Sequence, residues 1–349
     1  MIRESAPRTT FSQMAAMPAD AHGENDASDR LGAQARWLRE ASMGHPGPGG
    51  RRLAGATPTL AAIIVALFSG HLRQDAATPN WPNRDRCQFA HGRADGLLRL
   101  LAAHGIHRLP PPPARHLMRS MPAQSGGRIR SAHDGASALR NAVAKARVAH
   151  ELATTLGAEA AALADFRSYL IADRSGIDWA RDESVLIEAG RLALRSLIIM
   201  VDESSGAQVE AYSHALQMLA HFGWQIREVD AADDILELGR QLALARHGAS
   251  GPTLIRCRTD GLDTDAGTIL RAIAGHQRPG PAEVARFWNL DRLGQKRVQR
   301  WRRALDRLRD HDPAQADALL RALSRLDLPT QSERPAPRSV RAIRAVSYQ

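Results

Sequence analysis

Several short clusters put chemistry-bearing side chains where a turn or a strand end could present them. His45 lies in a Gly44-His45-Pro46-Gly47 turn, and Asp173-Arg174-Ser175 closes an apolar run. Further on, Val201-Asp202-Glu203-Ser204-Ser205-Gly206 closes a second apolar run. His91-Gly92-Arg93 follows the polar stretch Asn80-Trp81-Pro82-Asn83-Arg84-Asp85-Arg86, and His276 stands in a later segment. Each residue has a plain structural reading beside a chemical one. A carboxylate at a strand end, such as Asp173, caps the helix that follows. A turn histidine such as His45 bonds nearby backbone. Arginine stays protonated at neutral pH, so Arg93 and Arg174 cannot serve as general bases and supply only charge and donors. Two such arginines can grip a phosphate or diphosphate directly, through charge-assisted bonds and without a metal.

The elements that must position these groups are legible as periodicity. Leu60 to Phe68 reads as an apolar helix, and between Leu31 and Arg108 apolar residues recur at helical spacing, broken by Pro/Gly and Asn-Trp-Pro-Asn loops. Pro110 to Pro113 form a stiff extended linker, followed by a loose segment over 119–134. From there helix and strand alternate. Asn141 to Leu156 is helical, Phe166 to Ala172 a strand, Leu186 to Leu194 a helix, and Leu197 to Val201 a continuous apolar strand. Tyr212 to Phe222 is helical, Gln225 to Val229 a strand, Ala232 to Arg246 a helix, and Thr253 to Cys257 a further strand. The alternation predicts an α/β fold, a parallel sheet with helices on both faces. Near the end, Val298, Trp301, Leu305 and Leu308 share one helical face, and Lys296, Arg300, Arg303 and Arg307 share another that reads as solvated surface.

Composition narrows the function classes. The chain has 349 residues, 44% of them hydrophobic, enough for a sizeable core. A formal net charge of +10 invites a nucleic-acid reading. Only Lys145 and Lys296 are lysines, however, and the arginines are scattered among carboxylates. Aromatics make up 4% of the chain, too few for the stacking platforms of a single-strand binder, so nucleic acid is not the expected partner. Cys87 and Cys257 sit in ordinary contexts, which suits a reducing cytoplasm better than a disulfide framework or a zinc site. The longest apolar run is too short to span a bilayer, and no membrane role is expected. Residues 1–30 read as a disordered extension, 31–325 as the domain, and 326–349 as a tail.

The order of these motifs resembles the transketolase family, enzymes that use thiamine diphosphate and Mg²⁺ to move two-carbon units between sugars. The Gly-His-Pro-Gly turn, the helix after it and the Asn80–Arg86 stretch match that family's opening. His91-Gly92-Arg93 stands where the family has Asn-Gly-His. Ala132-His133-Asp134-Gly135 lies at its glycine-rich loop, and Asp173-Arg174-Ser175 at its Gly-Asp-Gly. Val201 to Gly206 resembles its Tyr-Asp-Asp-Asn-Gly-Ile, Phe222-Gly223-Trp224 its Tyr-Gly-Trp, and Gly251 to Thr259 its Lys-Pro-Ser-Leu-Ile-x-Cys-Lys-Thr. His276 falls near its Ser-His-Gly-Ala-Pro.

The resemblance implies a thiamine-diphosphate-binding fold of the diphosphate type. His45, Gly135, Asp173, Arg174 and His276 then stand at cofactor-binding positions, with His45 also at the reacting end. Asp173, Ser204 and the Gly206 carbonyl stand at the positions of the Mg²⁺ ligands. Gln124 falls near a further family histidine, and Asp178 near a family glutamate. Several working parts are exchanged: Arg93 for a histidine, Ser204 for an asparagine, Ala132 and Arg174 for glycines. A non-glycine residue forced into the left-handed conformation at Arg174 would cost roughly 1–2 kcal/mol. The chain reaches about where the family's second domain begins. The expectation is therefore a transketolase-like protein with impaired cofactor and Mg²⁺ binding, acting as a homo-oligomer. The alternatives are one chain of a split enzyme, completed by a separate chain carrying the pyrimidine-binding domain, and a metal-independent phosphate-binding protein.

Overall fold

The computed structural model describes residues 31–32, 34–35, 38–39, 57–75, 78, 80–91, 94, 131–204, 210–230, 234–258 and 290–326. Five strands form one wholly parallel sheet: β1 (Arg86–Ala90), β2 (Ser168–Asp173), β3 (Leu197–Asp202), β4 (Gln225–Asp230) and β5 (Thr253–Arg258), in the spatial order β1-β2-β3-β5-β4. The helices are α1 (Pro58–Ala66), α2 (Ser131–Thr155), α3 (Ala158–Ala162), α4 (Glu183–Arg191), α5 (Glu210–His221), α6 (Ile235–His247), α7 (Leu290–His311) and α8 (Pro313–Arg325).

Strand order decides which face each helix covers. Parallel crossovers are right-handed, so a connection moving one way across the sheet lays its helix on one face, and a return connection uses the other. The chain steps outward through β1, β2, β3 and on to the edge strand β4, and α2, α4 and α5 all pack on one side against Leu170, Ala172, Ile199 and Val201. The return from β4 to β5 puts α6 on the opposite side. There it joins α1 over Tyr169, Ile171, Ile198, Met200 and Ile255. The alternation of Leu170 and Ile171 between the two cores is the period-two pleat of a strand buried on both faces. Helix α1 is buried from Thr59 to Ala66 because it is apolar all round. Its start is fixed by Thr57, whose hydroxyl accepts the Leu60 N–H at 3.0 Å, and by Pro58 in the first turn. A third cluster joins Trp81 and Phe166 to Val298, Trp301, Leu305 and Leu308 of α7, with α8 beside them. The opposite face of α7, with Lys296, Arg300, Arg303 and Arg307, is exposed as expected.

Strand β1 departs from the expectation for the segment after Leu31, which reads as helical spacing and loops. Arg86-Cys87-Gln88-Phe89-Ala90 is short, begins on a charge and lies at a sheet edge, so it lacks the unbroken apolar run that marks β3. Helix α2 begins at Ser131 rather than Asn141, so Ala132 and Gly135 lie within a helix rather than in a loose segment.

Asp85, one residue before β1, ties the amino ends of these elements together. Its carboxylate accepts the backbone N–H of Arg73 at 2.7 Å and of Arg167 at 2.8 Å, and it pairs with the Arg246 guanidinium from the end of α6 at 2.7 Å. Arg246 also donates to the Tyr169 hydroxyl at 3.2 Å. Burial opposes the Asp85 charge, but the Arg246 and Arg73 guanidiniums outweigh it and hold the carboxyl below its ordinary value of 3.8. Such a group stabilises the fold fully above its unfolded pKa and loses that contribution as pH falls through the lowered folded value. Asp85→Asn leaves Arg246 buried without its counter-charge and should cost about 3–5 kcal/mol in urea unfolding at neutral pH. The deficit should shrink below about pH 4, where the unfolded chain's Asp85 takes up a proton, and disappear as pH falls through the lowered folded value.

Candidate functional site

The carboxyl ends of parallel strands are where open α/β sheets bind ligands. Here Asp173 ends β2 and Asp202 ends β3, side by side in register. His91, immediately after β1, faces both. Its Nε2 lies 3.0 Å from Asp202 Oδ2, and its Nδ1 lies 3.8 Å from Asp173 Oδ2. Asp202 is fully buried and thoroughly engaged. Its Oδ2 also accepts the Thr57 hydroxyl at 2.5 Å, while its Oδ1 accepts the Ser204 N–H at 2.9 Å and the Ser204 hydroxyl at 2.5 Å. Burial works against its charge, and the bonds from His91, Ser204 and Thr57 more than offset it, so the carboxyl is held low. Asp173 closes its own turn. Its Oδ1 accepts the Ser175 N–H at 3.0 Å and the Ser175 hydroxyl at 2.7 Å.

Beside this cluster lies a second, centred on Glu203. Its carboxylate accepts the Tyr212 hydroxyl at 2.6 Å, Arg256 Nε at 2.5 Å and Arg258 Nε at 2.9 Å, with Arg174 at 3.7 Å. Arg256 and Arg258 continue to Glu228 on the edge strand β4. Burial opposes the Glu203 charge, and these donors overcome it, lowering its pKa. The same contact, after burial itself, raises that of Tyr212.

These positions settle where several expected site residues stand. Arg174 turns its guanidinium toward Glu203, and its backbone is not left-handed: Ala193, at φ 48°, is the non-glycine residue with positive φ among those described. The expected backbone strain at Arg174 is therefore absent. The tight approach falls instead at Gly176, where a Cβ would sit 1.6 Å from the Ala90 carbonyl oxygen. Asp178 is exposed and accepts the Arg181 N–H at 3.1 Å, away from the paired aspartates. Gly135 lies in the early turns of α2, whereas His45, Arg93, Gln124, Gly206 and His276 lie outside the described residues. Thr57, Glu203, Tyr212 and Arg256 enter the site although residue type alone did not mark them. His91 is legible as a motif position but not as a bridge, because the short strand β1 that precedes it lacks an apolar run.

The described residues do not form a ready magnesium site. Mg²⁺ demands several oxygen ligands in near-octahedral geometry. The Ser204 hydroxyl is committed to Asp202, one Asp173 oxygen is committed to Ser175, and an imidazole rather than an oxygen donor faces the other. No group of three or more His, Cys, Asp or Glu side chains is disposed to hold a metal ion among the described residues. Both cysteines are free, Cys257 buried and Cys87 half-buried. No helix among the described residues is long and apolar enough to cross a membrane.

Three substitutions test this geometry. Gly176→Ala should cost at least about 3 kcal/mol in urea unfolding, since backbone, not a flexible side-chain tip, blocks the added methyl. Tyr212→Phe should cost about 1.5–3 kcal/mol by removing one donor to a charged acceptor. Glu203→Gln should exceed it, because three guanidiniums then converge on a neutral amide.

No family model matches the chain. Among curated proteins it is similar to transketolase 2 of Xanthobacter flavus, 26% identical over 322 residues, covering 82% of this chain and 45% of that protein. It is likewise 26% identical to the chromosomal transketolase of Cupriavidus necator over 298 residues, covering 76% of this chain and 43% of that one. Among solved structures, the transketolase of Leishmania mexicana superposes with a TM-score of 0.58 at 17% identity, over 84% of this chain and 48% of that one. A transketolase mutant from Pichia stipitis gives 0.60 at 20%, over 86% and 48%. The chain thus spans about half the length of the relatives it matches. In sequence and in its parallel thiamine-diphosphate-binding fold the chain is thus similar to transketolases, over a stretch consistent with the N-terminal half of those enzymes.

Proposed function

We propose that this is a transketolase-like diphosphate domain whose cofactor end is closed by its own side chains, and that it performs no ketol transfer alone. One observation carries the reading: the two described side chains at expected metal-ligand positions, Asp173 and Ser204, are already bonded to other groups of the chain. The Ser204 hydroxyl goes to Asp202, and Asp173 is shared between Ser175 and the neighbourhood of His91. Arg174, next to Asp173 in the chain, brings a positive charge paired with Glu203 to the same strand end, which disfavours a divalent cation there. Opening the site for Mg²⁺ would mean stripping a buried carboxylate of its partners, which is costly in a low-dielectric interior. On this reading the protein works by association, as a homo-oligomer in the cytoplasm.

A second reading rests on coverage. The curated relatives extend well beyond the matched region, so a separate chain carrying the pyrimidine-binding part could complete a split, two-chain transketolase and draw Asp173 and Ser204 into a cofactor site.

Calorimetric titration with thiamine diphosphate and Mg²⁺, repeated in EDTA, separates the readings. The closed site predicts no metal-dependent heat from the native chain. It also predicts that Arg174→Gly, paired with His91→Asn, gains measurable binding of at least about tenfold. Metal-dependent heat from the unmodified chain would overturn the closed-site reading and favour the two-chain enzyme. Binding that survives EDTA would favour direct gripping of the diphosphate by arginine.

A further inference from the structure

At the opposite end of the strands, away from the paired aspartates, a cleft of about 360 Å³ opens between the end of α2, the short helix α3 and the amino ends of β2 and β3. Its polar lining is almost wholly basic: His150, Arg167, Arg195, Arg246 and His247, against the single carboxylate of Asp165. Most of the remaining lining is alanine, from Ala149 through Ala164 and Ala249, and these small side chains leave the space open.

The charge here does not balance. Asp85 pairs with Arg246 and Arg73, and Asp165 pairs with Arg167 and Arg73. Arg195 is exposed and lines the same cleft with no carboxylate partner among the described residues. Three guanidiniums, of Arg73, Arg167 and Arg246, therefore share two carboxylates, and the exposed Arg195 adds a second excess positive charge. Arg167 is only 11% exposed, and its Nε is buried without a hydrogen-bond partner although its other nitrogens are engaged. The crowding is felt by the neighbouring imidazoles. Burial and then the Arg246 charge push His71 down to about 4, and burial with Arg246 and Arg167 lowers His247. Converging excess cation of this kind attracts an anion, and arginine forks match phosphate oxygens in geometry.

We propose that this cleft is a binding site for a phosphate group, with Arg195 as its principal donor, the Arg167 and Arg246 charges behind it, and the alanine-lined wall accommodating a small organic substituent. The site is independent of the aspartate cluster, since the two lie at opposite ends of β2 and β3.

The test is titration of the full chain with inorganic phosphate and with glycerol 3-phosphate at low salt, followed by calorimetry. Saturable binding with Kd at or below about 1 mM is expected. Arg195→Glu should weaken it by at least about tenfold, and Arg195→Lys should retain most of it. Arg195 is exposed and has no side-chain partner among the described residues, so the variant should melt with the native chain, which a thermal scan verifies. Tighter binding of the ester than of the free ion would identify an organic phosphate as the ligand, and equal binding would identify phosphate itself. The proposal is overturned if neither probe saturates. It is overturned equally if Arg195→Glu binds as the native chain does, or if Arg174→Gly at the other end of the strands abolishes the binding instead.

Discussion

The fold hangs on one buried carboxylate. Asp85 receives two backbone N–H groups from separate segments and one guanidinium from the end of α6. A charge so deeply placed is tolerable only when all its acceptor capacity is used. Meeting that condition fixes the loop after α1, the start of β2 and the end of α6 relative to one another. The surrounding loop is locked in the same way. Arg86 donates to the Arg84 carbonyl at 2.6 Å and the Pro82 carbonyl at 2.9 Å, and its guanidinium lies 4.7 Å from the centre of the Phe166 ring. Trp81 meets Trp301 edge-on at 6.4 Å, coupling this loop to α7. The polar stretch from Asn80 to Arg86 is thus a structural clasp at the amino edge of the sheet.

With that edge fixed, β1, β2 and β3 deliver their last residues to the opposite edge in register. Asp173 and Asp202 stand as neighbours there, and two buried carboxylates side by side repel unless something positive or hydrogen-bonding comes between them. In this chain the protein supplies those partners itself: His91 between the aspartates, Thr57 and Ser204 on Asp202, Ser175 on Asp173. Glu203 is satisfied by the same logic, with arginines in place of imidazole. One constraint, that every buried charge be answered, shapes both ends of the sheet. At the amino edge the answer leaves cation in excess, and at the carboxyl edge it leaves the acidic groups occupied.

How far the residues foretold this varies with how local the cause is. The strand Leu197–Val201 was legible because a segment buried on both faces has to be apolar at every position, and Val298, Trp301, Leu305 and Leu308 because one helical face has to be. The edge strand β1 was not, since its pairing with β2 supplies the order that its own residues do not. At the site, the family resemblance pointed to Asp173, Arg174 and Ser204 but assigned the tight backbone approach to Arg174. The packing of the loop against Ala90 puts that demand on Gly176.

The sequence by itself determined the alternation of helix and strand, the apolar cores, the motif order that resembles transketolases, and the presence of arginine where that family has glycine or histidine. These are properties of neighbouring residues, and local periodicity and side-chain chemistry express them directly. Only the tertiary structure decided that His91 stands between two aspartates, that Glu203 gathers arginines from two other segments, and that Arg195 and Arg167 face one cleft. Each of those contacts joins residues far apart in the chain. Their meeting is set by strand order and register, which no local pattern encodes.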